Sequence, residues 1–123
     1  QGDSGPYLQY TYARAQSVLH KAVVSAPKKL ISIKQSSILP QELAILRWLY
    51  RFPEVVEQAA RQFAPNLLCG YLFELAKRFN AYYNNVPILK SENEEFRLRI
   101  TEASSVVLKN GLKLLGIQAL EKM

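Results

Sequence analysis

The chain has 123 residues, a formal net charge of +6, one cysteine and one histidine. That length fits one domain that buries about two-thirds of the surface its unfolded chain exposes, and no run approaches the roughly 18 apolar residues of a membrane span. Cys69 alone cannot form an internal disulfide, and with His20 it cannot supply a structural zinc site.

A buried, inert thiol in a reducing, cytoplasmic compartment is therefore the expectation for Cys69. Nothing at the N-terminus reads as a signal peptide. Because the chain begins at Gln1 rather than methionine, it reads as a fragment of something longer.

Pro6 suits the first turn of a helix, where its missing N–H costs nothing, and a helix from there to about Val24 is predicted. At about 100° per residue, Leu8, Tyr12, Ala15, Leu19 and Ala22 share a core stripe. Tyr7, Tyr10, Thr11, Arg14 and Lys21 gather on a neighbouring side. A solvated face rarely carries two tyrosines in that way, whereas a face that stacks on bases and neutralises phosphate does. Five cations (Arg14, Lys21, Lys28, Lys29 and Lys34) fall in this first part of the chain against the single acid Asp3. Excess positive charge beside tyrosines points to an anionic partner.

Pro27 ends the first helix, since proline pushes the residue before it out of helical geometry. Residues 28–37 read as a basic connection with some extended character around Leu30–Ile33. A second helix opens near Pro40, with Leu43, Leu46, Leu49 and Tyr50 on its buried face. Trp48 reads as core edge or RNA contact. Arg47 and Arg51, four apart, share a face that suits phosphate or plain solvent.

Phe52-Pro53 breaks that helix, and a third is predicted from Glu54 through Phe63. Its acids Glu54 and Glu57 at the start and Arg61 near the end complement the helix dipole. Pro65-Asn66 starts a fourth. Leu68, Leu72, Leu75, Phe79 and Tyr83 recur there with amphipathic spacing, flanked by Tyr71, Arg78 and Tyr82, and Gly70 inside it suggests close helix packing. Ser91 and Glu94 have capping-box spacing, so a fifth helix is predicted from Ser91, buried along Phe96, Ile100, Ala103, Val107 and Leu114. Gly116 is a natural left-handed stop. The sum is an all-α bundle of about five helices in one domain over residues 1–123.

Three blocks also carry a family resemblance. Gly5-Pro6-Tyr7-Leu8-Gln9-Tyr10, followed by Ala13-Arg14, resembles the helix that opens the anticodon-binding domain of arginyl-tRNA synthetases. Tyr71 to Tyr83, with Pro87-Ile88-Leu89 after it, resembles that family's middle helix and exit. Val107 to Ile117 and Glu121-Lys122-Met123 resemble its C-terminal end. The blocks come in the family's order and span nearly the whole chain.

This resemblance implies an RNA-binding domain that reads the anticodon loop of the tRNA for arginine. It further implies that Tyr7, Tyr10 and Arg14 line the pocket for the middle anticodon base, a cytosine. Tyr83 would pack the loop, and the main chain of Met123 would close over the same base. Lys21, Lys28 and Lys29 are the accompanying phosphate candidates. Two departures stand out: Tyr12 replaces a frequent histidine, and Leu120 replaces a proline ahead of the terminal methionine.

The class I signatures His-Ile-Gly-His and Lys-Met-Ser-Lys-Ser do not occur, nor does a glycine-rich phosphate loop or a nucleophile elbow. No catalytic residue, metal site or cofactor is therefore expected in this chain, which should not aminoacylate alone. ATP and arginine would bind a catalytic domain elsewhere in a parent chain, and that domain is an expected partner. The competing expectations are a helical protein-interaction module whose tyrosine stripe docks a partner helix, and the related domain of the glycyl-tRNA synthetase β chain.

Overall fold

The computed structural model describes residues 4–25 and 38–121. Five helical segments make up the regular structure there: α1 (Ser4–Ser25), α2 (Pro40–Tyr50), α3 (Phe52–Arg61), α4 (Pro65–Asn85) and α5 (Glu94–Leu114). The all-α expectation holds. The basic connection, with its extended stretch near Leu30, lies outside the described residues.

The centre of the bundle is α4, which touches all four other helices, while α1 packs most extensively on α5. Its stripe of Leu68, Leu72, Leu75 and Phe79 is buried as the spacing predicts. The stripe then continues through Tyr82 rather than Tyr83: Tyr82 is 1% exposed and Tyr83 is 38% exposed. The reason is polar. The Tyr82 hydroxyl donates to Glu42 Oε2 at 2.7 Å, so burying it leaves nothing unsatisfied.

Glu42 corrects the reading of α2. Leu43 and Tyr50 are exposed, and the residues fully buried on α2 are Glu42 and Ile45. A carboxylate is buried only when paired and hydrogen-bonded. Here Glu42 accepts from Arg97 Nε at 3.0 Å and from the Leu39 backbone N–H at 2.8 Å, besides Tyr82. Arg97 also donates to the Pro87 carbonyl at 2.7 Å. One buried ion pair thus ties the start of α2, the exit of α4 and the first turns of α5.

On the other side of α2, Trp48 packs against the core, half-buried. Its ring stacks on Tyr71 with centroids 5.2 Å apart. Trp48 Nε1 donates to the Tyr71 carbonyl and the Tyr71 hydroxyl donates to the Trp48 carbonyl. Arg51 and Arg78 both lie over the indole, so a cation–π contact accounts for Arg51.

Only Arg51 separates α2 from α3, and α3 begins at Phe52, two residues before the expected start. Phe63 lies past its end, 92% exposed and in the left-handed region (φ 51°). Gly70 is exposed and a Cβ there would meet nothing, so it has no packing role. Gly111 has that role instead: a Cβ would sit 2.5 Å from a Leu72 methyl, so α4 and α5 approach through its missing side chain.

The capping box expected at Ser91 does not form. Ser91 donates to the Ile88 carbonyl, and Lys90, left-handed at φ 61°, gives its N–H to Glu94, where α5 begins. The buried face of α5 also differs from the apolar reading. Leu114 is 59% exposed and Ala103 and Val107 are half-buried, whereas Thr101, Ser104, Ser105, Leu108 and Leu112 are buried. Thr101 satisfies its hydroxyl on the Arg97 carbonyl one turn back, and Ser105 accepts from Gln16 of α1. These small residues let α1 lie close. Gly116 stops the helix at φ 77°, with Ile117 N–H bonded to the Leu112 carbonyl as in a Schellman motif.

Candidate nucleic-acid interface

Two helices build the site. On α1, Leu8, Tyr12, Ala15 and Val18 are buried in the core, which turns Tyr10 and Arg14 to the rim. Leu19 and Ala22 are only half-buried, and Cys69 likewise, so the thiol is not enclosed as expected. On α4, burial of Phe79 and Tyr82 turns Tyr83 outward toward α1.

Arg14 lies where they meet. Its guanidinium carbon is 4.9 Å from the Tyr10 ring centroid and 4.4 Å from that of Tyr83. Nη2 also donates to the Tyr10 hydroxyl at 2.6 Å. Tyr10, at 46%, is more exposed than Tyr83. The result is an open clamp of two aromatic rings with a guanidinium between them.

Arg14 is held from below by a residue absent from the sequence-level candidates. Asn80, only 8% exposed, accepts from Arg14 Nη1 through Oδ1 at 3.0 Å. Its Nδ2 donates to the Tyr7 hydroxyl at 3.1 Å and to Thr11 Oγ1 at 2.9 Å. Thr11 in turn donates to the Tyr7 carbonyl at 2.9 Å. One signal for Asn80 was available: an amide standing among the apolar residues of the α4 stripe needs partners.

The tyrosine-plus-basic stripe expected on α1 is thereby divided. Thr11 is fully buried rather than facing outward. Tyr7 is half-buried, its ring tilted against Phe73 at 5.2 Å, and only its hydroxyl reaches the Asn80 network. Tyr10, Arg14 and Tyr83 come together, and Lys21 is exposed further along the same helix. Met123, Lys28 and Lys29 lie outside the described residues.

The tail before Met123 is nonetheless brought to α1. Gln9 Nε2 donates to the Gln118 carbonyl at 2.7 Å. Burial, with a smaller contribution from the Glu121 charge, raises Tyr12 above its ordinary range.

Chemically, the clamp offers ring faces to stack on and guanidinium N–H groups to donate, but no paired carboxylates or nucleophile. Among the described residues there is no group of histidine, cysteine, aspartate and glutamate side chains that could hold a metal ion. No helix there is long and apolar enough to cross a membrane. An apolar groove among Val56, Ala59, Phe63, Leu68 and Leu114 shares no residue with the clamp.

Comparison with known proteins agrees with this architecture. The arginine–tRNA ligase of Lactobacillus johnsonii is 42% identical over the whole of this chain, which covers 22% of that relative. The ligase of Thermococcus kodakarensis is also 42% identical, with 20% of it covered. The Thermus thermophilus arginyl-tRNA synthetase structure superposes on the whole chain with a TM-score of 0.86 at 39% identity, again over 22% of its length. The chain thus spans about a fifth of these relatives. A family model for the DALR anticodon binding domain matches residues 8–123, and with its all-α fold and its relatives in agreement, the chain belongs to that family.

Proposed function

We propose that this domain recognises the anticodon loop of the tRNA for arginine, as the RNA-reading part of an arginine–tRNA ligase. The observation that carries this reading is the Arg14 guanidinium between the exposed rings of Tyr10 and Tyr83. Sequence-specific RNA readers splay out single-stranded bases, stack them on aromatic rings and read their edges. Each such stack is worth about 1–3 kcal/mol, and Arg14 adds a permanent charge for phosphate or a base edge. Names shared by the full-length relatives support the parent activity.

In this reading Tyr7, Tyr10 and Arg14 line the pocket for the middle anticodon cytosine, Tyr83 packs the loop, and the main chain of Met123 closes over the base. Lys21, Lys28 and Lys29 supply phosphate contacts. ATP and arginine bind a catalytic domain elsewhere in the parent chain, which works in the cytoplasm. An interaction module docking a partner helix finds no support, because the tyrosine side of α1 is organised around a charged group rather than an apolar groove.

The test is binding of the 123-residue chain to an anticodon stem-loop carrying cytosine at the middle position, against one with that base changed. The cytosine loop should bind more tightly, with affinity falling steeply as salt rises. Tyr10→Ala and Tyr83→Ala should each weaken it by about 1–3 kcal/mol. Equal binding of both loops would remove the reading.

A further inference from the structure

Resting on that reading, we propose that Gln9 is a positioning residue that pins the chain after α5 along α1, so that the tail stands beside the interface before RNA arrives. Gln9 acts through the tail rather than on a base.

Three contacts place the tail. The Ile117 side chain lies against Gly5, its Cδ1 3.6 Å from where a Cβ would stand. Gln9 Nε2 donates to the Gln118 carbonyl at 2.7 Å. Tyr12, raised chiefly by burial, also feels the Glu121 charge. Gly5, Gln9 and Tyr12 follow one another at helical spacing along a single stripe of α1, and they meet the tail residues in ascending order. The tail therefore runs parallel to α1, toward the level of Tyr10 and Arg14. From Gly5 to Tyr12 the helix rises about 10 Å. The chain from Ile117 to Glu121 reaches roughly 13 Å when fully extended, so it has little slack.

Its support is uneven. Up to Ile117 the path is fixed by the positive φ of Gly116 and by the Ile117 N–H on the Leu112 carbonyl at 2.8 Å. Beyond Ile117, the bond from Gln9 is the one hydrogen bond the tail makes among the described residues. Ala119 packs against the core, but one methyl group holds no direction. No proline stiffens residues 117–123, and a chain end that nothing ties down frays. A tail already tied to α1 has less freedom to lose when RNA binds, which is how preorganisation raises affinity.

The first measurement needs no RNA. Backbone amide relaxation by NMR on the 123-residue chain should give Ala119 and Leu120 order parameters near the rigid value of about 0.85, falling below about 0.6 in Gln9→Ala. Gln9→Glu keeps the length of the side chain but has no hydrogen to donate at neutral pH, and it should loosen the tail equally. Unchanged order in both variants, or a tail already mobile in the wild type, overturns the proposal.

The second measurement is a double-mutant cycle. An anticodon stem-loop with cytosine at the middle position is titrated against the wild-type chain, Gln9→Ala, a chain lacking residues 120–123, and the two changes combined. In the complete chain Gln9→Ala should weaken binding by roughly three- to tenfold, the fold-change of one net hydrogen bond. Without residues 120–123 the same substitution should change nothing, because Gln9 acts only through the tail. An equal loss in both backgrounds makes Gln9 a direct contact or a support of α1 and overturns the proposal. So does a loosened tail that costs no affinity. Wild type that binds no loop, or binds cytosine and uridine loops equally, overturns the anticodon reading and the role of Gln9 in RNA binding, while the order parameters still decide whether Gln9 holds the tail.

Discussion

Replacing Glu42 by alanine should be among the most damaging single changes available to this domain. The side chain is fully buried and is bonded to Arg97, to the Tyr82 hydroxyl and to the Leu39 N–H. Removing it strands the Arg97 guanidinium, whose side chain is 13% exposed, and leaves a buried phenol without an acceptor. Breaking one side of a buried ion pair costs about 3–5 kcal/mol. Against a typical total of about 5–15 kcal/mol, that is a large share. For a chain of this length it corresponds to a fall of roughly 10–20 °C in Tm.

Urea unfolding followed by helical circular dichroism and by Trp48 fluorescence gives the free energy directly. Glu42→Gln, which keeps the shape and an acceptor oxygen but not the charge, should lose less than the alanine variant. A Glu42→Ala loss below about 1 kcal/mol with an unchanged m-value would refute the reasoning, because the pair would then contribute no more than an exposed one.

Two further expectations concern packing and pH. Gly111→Ala should destabilise by about 1–2 kcal/mol, because the new methyl overlaps a fully buried Leu72 and overpacking outweighs the gain in helix propensity. Gly70→Ala, the same change in open space, should gain about 0.5–1 kcal/mol in the same unfolding assay. Alkali should destabilise the fold through two tyrosines. Burial, opposed in part by Arg51, pushes Tyr71 up to about 12, and burial with the Glu42 hydrogen bond and charge raises Tyr82 as well. The unfolded chain releases these protons near pH 10 while the folded one retains them. Stability is therefore intact below about pH 10 and falls as pH rises toward 12, by about 1.4 kcal/mol per pH unit for each group. Urea midpoints between pH 9 and 11.5 should show this, with a shallower slope in Tyr71→Phe.

How far the sequence can be read is clearest in α4. Leu68, Leu72, Leu75 and Phe79 obey the helical period because each is buried by shape and apolarity alone. The reading fails where burial depends on a distant partner. Glu42 is inside because of Arg97, and Tyr82 rather than Tyr83 because of Glu42; no local spacing contains those facts. Thr101 and Ser105 fail for a related reason, since their hydroxyls are satisfied by a carbonyl one turn back and by α1. In the interface, Tyr10 and Arg14 were legible from α1 alone. Pairing them with Tyr83 from geometry, and finding Asn80 beneath them, required knowing that α4 crosses α1 at that point. The family resemblance named Tyr83 only as a residue that packs the loop, without that geometry.

Among the described residues the most extensive helix contact joins α1 to α5, two helices far apart in sequence. Such a contact cannot begin to form during synthesis until α5 has emerged from the ribosome, and its loop-closure cost falls late. Until then the Leu8, Tyr12 and Ala15 side of α1 lacks one of its covers and needs α4, or a chaperone, to shelter it. A nascent chain stalled just short of α5 should therefore be conspicuously prone to clumping, while one released past Gly116 should not.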